Sequence, residues 1–273
     1  IQRHNMLTCA TPHWAARAAS AELSIKRAGS MVPFAGVDTA QQRFLFRAGW
    51  DGLDPASSTS GLAGGGDTLI IRGFGLDTAQ AYRCVFYNGP ASLSTTGVAF
   101  SSTHLECPSP AWGASFPANV TAVKLTRADG VLVDLTLGGD SLVSSEVCAV
   151  PGASLPCTFA FLHAWDTERL SPMVIFATGG ERVVVPGYGF GPETVYSCVF
   201  TYTEDGMLRH SARVNASSAD SPSQISCASP QWTFRQVSGV RFYLEALLPA
   251  ASAFEAVPEA LLGARAFVDI SET

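Results

Sequence analysis

The chain has 273 residues, which is long enough for two domains that each bury a core of their own. Hydrophobic residues make up 47% and charged residues 15%, a balance that excludes an intrinsically disordered tail. The formal net charge is −6 and Lys and Arg are scattered, so a nucleic-acid-binding surface is not expected. No uncharged apolar run reaches about 18 residues, so membrane attachment is expected only through a segment outside this chain.

The predicted strands are short apolar runs that end in turns, and helical periodicity is weak. In chain order they cover residues 23–25, 69–71, 82–86, 123–126, 131–137, 183–185, 196–202 and 240–244. Alternation places Tyr82, Cys84 and Phe86 on one face of their strand. The one helix candidate spans residues 255–266. Short strands bounded by turn signals favour an all-β chain built as β-sandwiches.

Two patterns repeat along the chain. A motif in which Cys is followed by Pro three residues later and by Trp five residues later occupies residues 9–14, 107–112 and 227–232. Residues 65–86 align without a gap on residues 179–200. A third pattern, Phe-x-x-x-Trp, is found at Phe46 and Trp50 and again at Phe161 and Trp165. The repeats predict an array of modules of about 110 residues.

The module boundaries follow from the repeat, with Phe44, Phe159 and Phe267 marking the starts. Residues 44–158 and 159–266 are predicted to be complete modules. Residues 1–43 are expected to end a preceding module and residues 267–273 to start a following one. The chain is therefore expected to be a piece of a longer protein.

The seven cysteines are restricted by the same repeat. Cys84 and Cys107 occupy the module positions of Cys198 and Cys227, so two disulfides, Cys84–Cys107 and Cys198–Cys227, are predicted. A third bridge is expected locally between Cys148 and Cys157, and the partner of Cys9 is expected upstream. Such bridges indicate an oxidising compartment. Buried free thiols are the alternative, while zinc is disfavoured because the chain has no Cys-x-x-Cys motif.

Two N-glycosylation sequons point to the same compartment. Asn119-Val-Thr and Asn215-Ala-Ser both fall in polar stretches, where an acceptor is expected to be exposed.

The repeated tryptophans have two possible roles, as sugar-stacking platforms or as structural residues of a shared core. They are Trp14, Trp50, Trp112, Trp165 and Trp232. A Trp at a fixed offset from a disulfide Cys is expected to pack against the bridge or to seal the joint between modules.

The order of features resembles the IPT/TIG domain, an immunoglobulin-like module of plexins, hepatocyte-growth-factor-receptor-type kinases and fibrocystin-like proteins. The matching residues are Pro55, Gly65, Gly66, Gly73, Gly75, Cys84, Phe86, Cys107 and Pro110 in one module, and Pro172, Gly179, Gly180, Gly187, Gly189, Cys198, Phe200, Cys227 and Pro230 in the next. The resemblance implies tandem immunoglobulin-like β-sandwiches of the E-set type. Paired Cys with Cys-x-x-Pro is similar to the cell-surface branch of the family.

The sequence gives no sign of catalysis, since the five histidines form no metal-binding motif and no nucleophile elbow is present. No enzyme activity, metal or other cofactor is expected. The leading hypothesis is an extracellular segment of a cell-surface or secreted protein, acting as a spacer and as a protein- or glycan-binding surface in adhesion or receptor signalling. The alternatives are an intracellular TIG module of a transcription factor and an accessory module of a polysaccharide-degrading enzyme.

Overall fold

The computed structural model describes residues 8–11, 16–33, 43–130, 133–137, 141–143, 155–217, 219, 221–234, 239–248, 253–260 and 266–271. In these ranges the regular elements are strands and one 3-10 turn, Trp112–Ala114, so the all-β prediction is confirmed. None of the described segments is a helix that is long and apolar enough to cross a membrane.

The strands fall into three groups along the chain. The N-terminal group is β1 (Ser20–Glu22), β2 (Lys26–Arg27), β3 (Ser30–Met31) and β4 (Arg43–Leu45). The second group is β5 (Gly49–Leu53), β6 (Ser60–Leu62), β7 (Thr68–Phe74), β8 (Ala81–Asn88), β9 (Ala91–Ala99), β10 (His104–Pro108), β11 (Val120–Arg127), β12 (Asp134–Leu137), β13 (Ser141–Val143) and β14 (Thr158–Leu162). The third is β15 (Ala164–Trp165), β16 (Val174–Phe176), β17 (Arg182–Tyr188), β18 (Val195–Glu204), β19 (Met207–Asn215), β20 (Gln224–Ala228), β21 (Val240–Leu247), β22 (Glu255–Ala256) and β23 (Ala266–Ser271).

The second group folds into one β-sandwich. One sheet pairs β5, β7 and β10, and the other runs β6-β14-β11-β8-β9. A short contact between β9 and β10 joins the two sheets, and the β12–β13 hairpin extends the first sheet through parallel pairing with β5. Antiparallel pairing predominates, but β6 and β14 pair in parallel, which closes the sandwich along one edge.

The third group repeats this strand order in a second sandwich. Its sheets are β15-β17-β20 and β16-β23-β21-β18-β19, with β16 and β23 again parallel. The prediction of immunoglobulin-like β-sandwiches is therefore confirmed. The helix candidate at 255–266 was wrong, since the strand β22 and the start of β23 lie there.

The boundaries between modules in the structure lie at other residues than the sequence predicts. Phe159 and Phe161 lie on β14 and pack into the core of the first sandwich, so that sandwich extends to Leu162 rather than ending at residue 158. In the same way β23 closes the second sandwich, so the residues expected to start a following module belong to this one. The repeated Phe marks the last strand of a module and not its first.

Phe267, the third residue used to mark a module boundary, is also one position away from the true counterpart of Phe159. Cys84 pairs with Leu125 and Cys198 with Leu244, which makes Thr121 and Val240 equivalent positions. Because Thr121 faces Phe159 and Val240 faces Val268, the counterpart of Phe159 is Val268. A one-residue offset reverses the face of a strand, so Phe267 is 44% exposed while Phe159 is fully buried.

Each sandwich has its own core, and the repeated tryptophans lie inside these cores. Trp50, Trp112 and Trp165 are completely buried and Trp232 is 4% exposed. Trp14 lies outside the described residues. At the four described positions the indole rings are enclosed in the cores and their faces are not open to solvent.

The disulfides of the structure are Cys84–Cys107 and Cys198–Cys227, the two pairs that the repeat predicts. Each links the second sheet of a sandwich to the first across the core. Cys157 is buried and disulfide-bonded, while its predicted partner Cys148 lies outside the described residues. Cys9 is exposed and free.

The revised register predicts unequal effects for two substitutions that the repeat alone would treat as equivalent. Phe159→Ala removes a fully buried ring and is expected to destabilise the first sandwich by about 3–5 kcal/mol. Phe267→Ala removes a half-exposed ring and is expected to cost less than about 1 kcal/mol. Urea unfolding of both variants measures the difference, and equal shifts of the two midpoints would contradict the register.

Candidate functional site

The two sandwiches are joined almost without a linker. Strand β14 ends at Leu162 and β15 begins at Ala164, so His163 is the single residue between them. His163 is half-buried and packs edge-on against Tyr196, with ring centroids 5.8 Å apart. So short a connection leaves little freedom for the sandwiches to move independently.

Backbone hydrogen bonds cross the junction in both directions. The amide of Ala118 in the first sandwich donates to the carbonyl of Gly189 in the second at 2.9 Å. The amide of Gly189 donates back to the carbonyl of Gly113 at 3.0 Å. Hydrogen bonds of this kind each contribute about 0.5–1.5 kcal/mol net, so the pair stabilises one relative orientation. We call this arrangement, together with His163, the joint.

The joint needs glycine at its contact points. Gly189 has φ +79°, and a Cβ there would lie 2.8 Å from Cβ of Ala118 and 2.9 Å from Cβ of Ala63. A Cβ on Gly113 would overlap the backbone of Gly189. Tyr188 beside it packs against the core of the first sandwich. The second glycine of the Gly-x-Gly turn thus allows two backbones to meet, in addition to turning the strand.

The loop after β10 holds the first-sandwich side of the joint. Cys107 is fixed by its disulfide, and the amide of Trp112 donates to the carbonyl of Pro110 at 2.7 Å. The Trp112 ring stacks on Phe161 with centroids 5.4 Å apart, and its Nε1 donates to the carbonyl of Pro117 at 2.9 Å. The Cys-x-x-Pro-x-Trp motif therefore fixes the loop that presents Gly113 and Ala118.

A buried tyrosine holds the second-sandwich side. The phenol oxygen of Tyr196 accepts a hydrogen bond from the amide of Gly191 at 3.1 Å, just beyond the joint glycine. Tyr82 accepts the equivalent bond from the amide of Asp77 at 2.8 Å in the first sandwich. Burial raises the pKa of both phenols, so they stay protonated at neutral pH.

One of the two crossing hydrogen bonds of the joint has a counterpart on the other side of the first sandwich. The amide of Ala18 donates to the carbonyl of Gly75 at 2.8 Å, as that of Ala118 does to Gly189. The amide of Phe46 donates to the carbonyl of Ala19 at 2.9 Å. The same bond runs from Phe161 to Asn119 at 2.9 Å. β1 pairs with β4 as β11 pairs with β14, so the N-terminal segment presents the corresponding end of a sandwich.

The joint accounts for the Phe-x-x-x-Trp repeat. Its Phe lies at the end of one module and its Trp on the first strand of the next, where Trp50 pairs with Gly73 and Trp165 with Gly187. The spacing of four residues spans the end of one module, the connecting residue and the start of the next module. Sequence reasoning quoted the pattern but did not assign it, although a fixed spacing across a junction was the available signal.

A second feature that the sequence did not reveal is a cavity of about 560 Å³ on the outer face of the second sandwich. It lies between the side chains of β18, β19 and β21 and the segment 256–259. The guanidinium of Arg241 lies over the Tyr243 ring, 5.7 Å from its centroid. Glu259 lines the opposite side, so both signs of charge meet there. Within the described part of the chain, His, Cys, Asp and Glu form no group that could hold a metal ion.

Comparison with known protein families finds a match for part of the first sandwich. Residues 53–146 match the IPT/TIG domain. No curated protein sequence matches the chain. The match begins on β5 and ends before β14, so it leaves out the closing strand and the joint beyond it.

Solved structures that are similar to this chain include two of the plexin A4 extracellular region. One, with domains 1 to 8, is 13% identical with a TM-score of 0.24, and the match covers 80% of this chain and 28% of that one. The other, with domains 1 to 10, is 12% identical with a TM-score of 0.25, covering 85% and 17%. A marsupial T cell receptor is 10% identical with a TM-score of 0.25, covering 82% and 74%. The chain thus spans less than a third of the plexin A4 regions, and scores this low carry no argument about function.

Substitution of the joint glycine is expected to loosen the pair of sandwiches. Gly189→Ala should remove the two crossing hydrogen bonds, because its Cβ cannot fit beside Ala118. The matched control is Gly180→Ala, which has a similar φ of +88° but open space around the added Cβ. Amide hydrogen exchange is expected to accelerate at Ala118 in the first variant only. Equal exchange rates at Ala118 in both variants would show that the contact is not what holds the joint.

His163 makes stability depend on pH. Burial lowers its pKa, and the nearby charge of Glu255 opposes the shift only in part. Below about pH 6.5 the unfolded chain therefore binds more protons than the folded one, and stability is lost as the pH falls. His163→Ala, which copies the Ala48 of the other joint, should flatten the urea-midpoint profile between pH 7.5 and 5. Parallel profiles for the wild type and this variant would contradict the assignment.

Proposed function

We propose that this chain is a non-catalytic segment of a cell-surface or secreted multi-module protein of the receptor type. Its successive immunoglobulin-like modules would form a stiff spacer that carries a protein- or glycan-binding surface. The observation that carries this proposal is the joint, because its hydrogen bond from Ala118 to the carbonyl of Gly189 has a counterpart from Ala18 to the carbonyl of Gly75 at the preceding junction.

Stiffness follows from how the joint is made. Domains in one chain move relative to each other unless their interface restrains them. Here a one-residue connection and two opposed backbone hydrogen bonds restrain both bending and rotation. A repeated restraint of this kind suits a protein that must hold a binding surface at a set distance. We extend the IPT/TIG assignment to the second sandwich on its shared strand order.

The extracellular part of the proposal is supported by the disulfides. Cys84–Cys107 and Cys198–Cys227 both cross the core of a sandwich, where bridges persist only in an oxidising compartment. An exposed sequon at Asn215 is consistent with secretion. For the binding surface we favour the outer face of the second sandwich, where the cavity at Arg241 and Tyr243 offers aromatic, cationic and hydroxyl groups together.

The two alternatives lack a comparable observation. A transcription-factor module requires free thiols, and the structure has disulfides at Cys84, Cys107, Cys198 and Cys227. An accessory module for polysaccharides was suggested by the tryptophans, but the four described ones are buried in the cores. Neither is favoured by the described residues.

The test is the thiol state of the protein in the cells that make it. Antibody labelling of intact cells and non-reducing peptide mass spectrometry should find a surface-exposed or secreted protein. In that protein Cys84 should be linked to Cys107 and Cys198 to Cys227. An intracellular protein with these four thiols free would overturn the proposal.

A further inference from the structure

The two N-glycosylation sequons lie in very different surroundings. Asn119 is half-buried at the joint, directly after Ala118, and its main-chain carbonyl accepts a hydrogen bond from Phe161. Its side-chain Oδ1 is buried without a hydrogen-bond partner. Thr121, the hydroxyl residue of this sequon, is completely buried and donates to the carbonyl of Phe159 at 3.0 Å. The hydroxyl of this sequon is thus engaged within the fold, and its acceptor carboxamide is partly enclosed beside the joint.

The surroundings of Asn215 differ from those of Asn119 in their exposure to solvent. It is exposed, at the end of β19, the outermost strand of its sheet. Ser217, the hydroxyl residue of this sequon, is exposed as well, and its Oγ lies 3.2 Å from Oγ of Ser226. The carboxamide borders an open cavity of about 210 Å³ beside the Cys198–Cys227 disulfide. The other polar side chains around this cavity are Arg182, Ser217 and Ser226.

We propose that Asn215 is the N-glycan acceptor of this protein and that Asn119 stays unmodified in the folded, secreted form. The proposal rests on the extracellular location proposed above. In the transfer, Nδ2 of Asn215 bonds to the anomeric carbon of a lipid-diphosphate-linked oligosaccharide. The bond from that carbon to the phosphate oxygen breaks, and the lipid diphosphate leaves with the amide proton.

The cavity beside Asn215 gives the first sugar a place to lie. Arg182, Ser217 and Ser226 offer polar groups to its hydroxyls, and Cys227 and Ala228 offer apolar surface to its ring. The glycan would lie beside the end of β19, where the chain bridges to β20 and the amide of Ser217 donates to the carbonyl of Ser226 at 2.7 Å. Asn215 is not among the residues of the joint, so the modification leaves the module pair intact.

Transfer of the oligosaccharide precedes folding. Chains modified at Asn119 are therefore selected against when the protein folds, and not by the transferase. A chain modified at Asn119 would carry its glycan on a half-buried side chain directly beside the contact of Ala118 with Gly189, and we expect this to impair formation of the joint. Such chains are expected to be retained in the cell. The secreted and the retained fractions must therefore be read separately.

The experiment expresses the 273-residue chain behind a secretion signal in eukaryotic cells. Glycopeptide mass spectrometry with and without an N-glycanase is applied to both fractions. The secreted wild type and Asn119→Gln should carry one glycan, on Asn215. The Asn215→Gln and Ser217→Ala variants should carry no glycan in the secreted fraction. The Ser217→Thr variant should carry one glycan, on Asn215. The Ser217 pair tests the sequon without removing the acceptor.

The outcomes separate this inference from the proposed function. A glycan on Asn119 in the secreted fraction, or a bare Asn215 in both fractions, overturns the inference. A glycan on Asn119 confined to the retained fraction supports it. Because a signal is supplied, acceptor use is measured whatever the native location. Free thiols in the protein from its own cells would contradict the proposed function and leave the acceptor result standing.

Discussion

The structure depends on a contact between two backbones at Gly189. Its carbonyl accepts from Ala118 and its amide donates to Gly113, so one residue carries both crossing bonds. Only glycine satisfies the site, because φ is +79° and any Cβ would overlap the neighbouring module. The relative orientation of the modules is therefore set by main-chain groups. Side chains act by holding those groups in place.

Each core is connected to the joint by a short chain of contacts. The disulfide at Cys107 fixes the end of β10, Trp112 stacks on Phe161, and the loop between them carries Gly113 and Ala118. The tryptophan is thus shared between the core and the junction. Its complete burial is consistent with that double role, since an exposed ring could not brace both the closing strand and the loop. Core packing and module orientation are in this way coupled.

Features that are local or repeated could be predicted from the sequence. Features that depend on long-range strand pairing could not. Alternation placed Tyr82, Cys84 and Phe86 on one face, and all three are buried. The boundary near Phe159 was misplaced because a repeat fixes a period but not its starting point. The pairing of β14 with β11 and with β6, both distant in sequence, assigns that strand to the first sandwich. The joint was missed because its contacts are main-chain hydrogen bonds, whose only traces in the sequence are the glycines and the fixed Phe-x-x-x-Trp spacing across the junction.

A joint made of backbone groups leaves its side chains free to differ. Ala19 and Asn119 accept the same hydrogen bond, and Ala48 and His163 occupy the same position before the opening strand. The geometry is retained while the chemistry changes, so one junction contains an ionisable ring and the other a methyl group. Successive junctions of a stiff array can therefore differ in their response to pH without differing in shape. What distinguishes one module from the next is then to be sought in side chains at the junctions and on the outer faces, rather than in the fold they share.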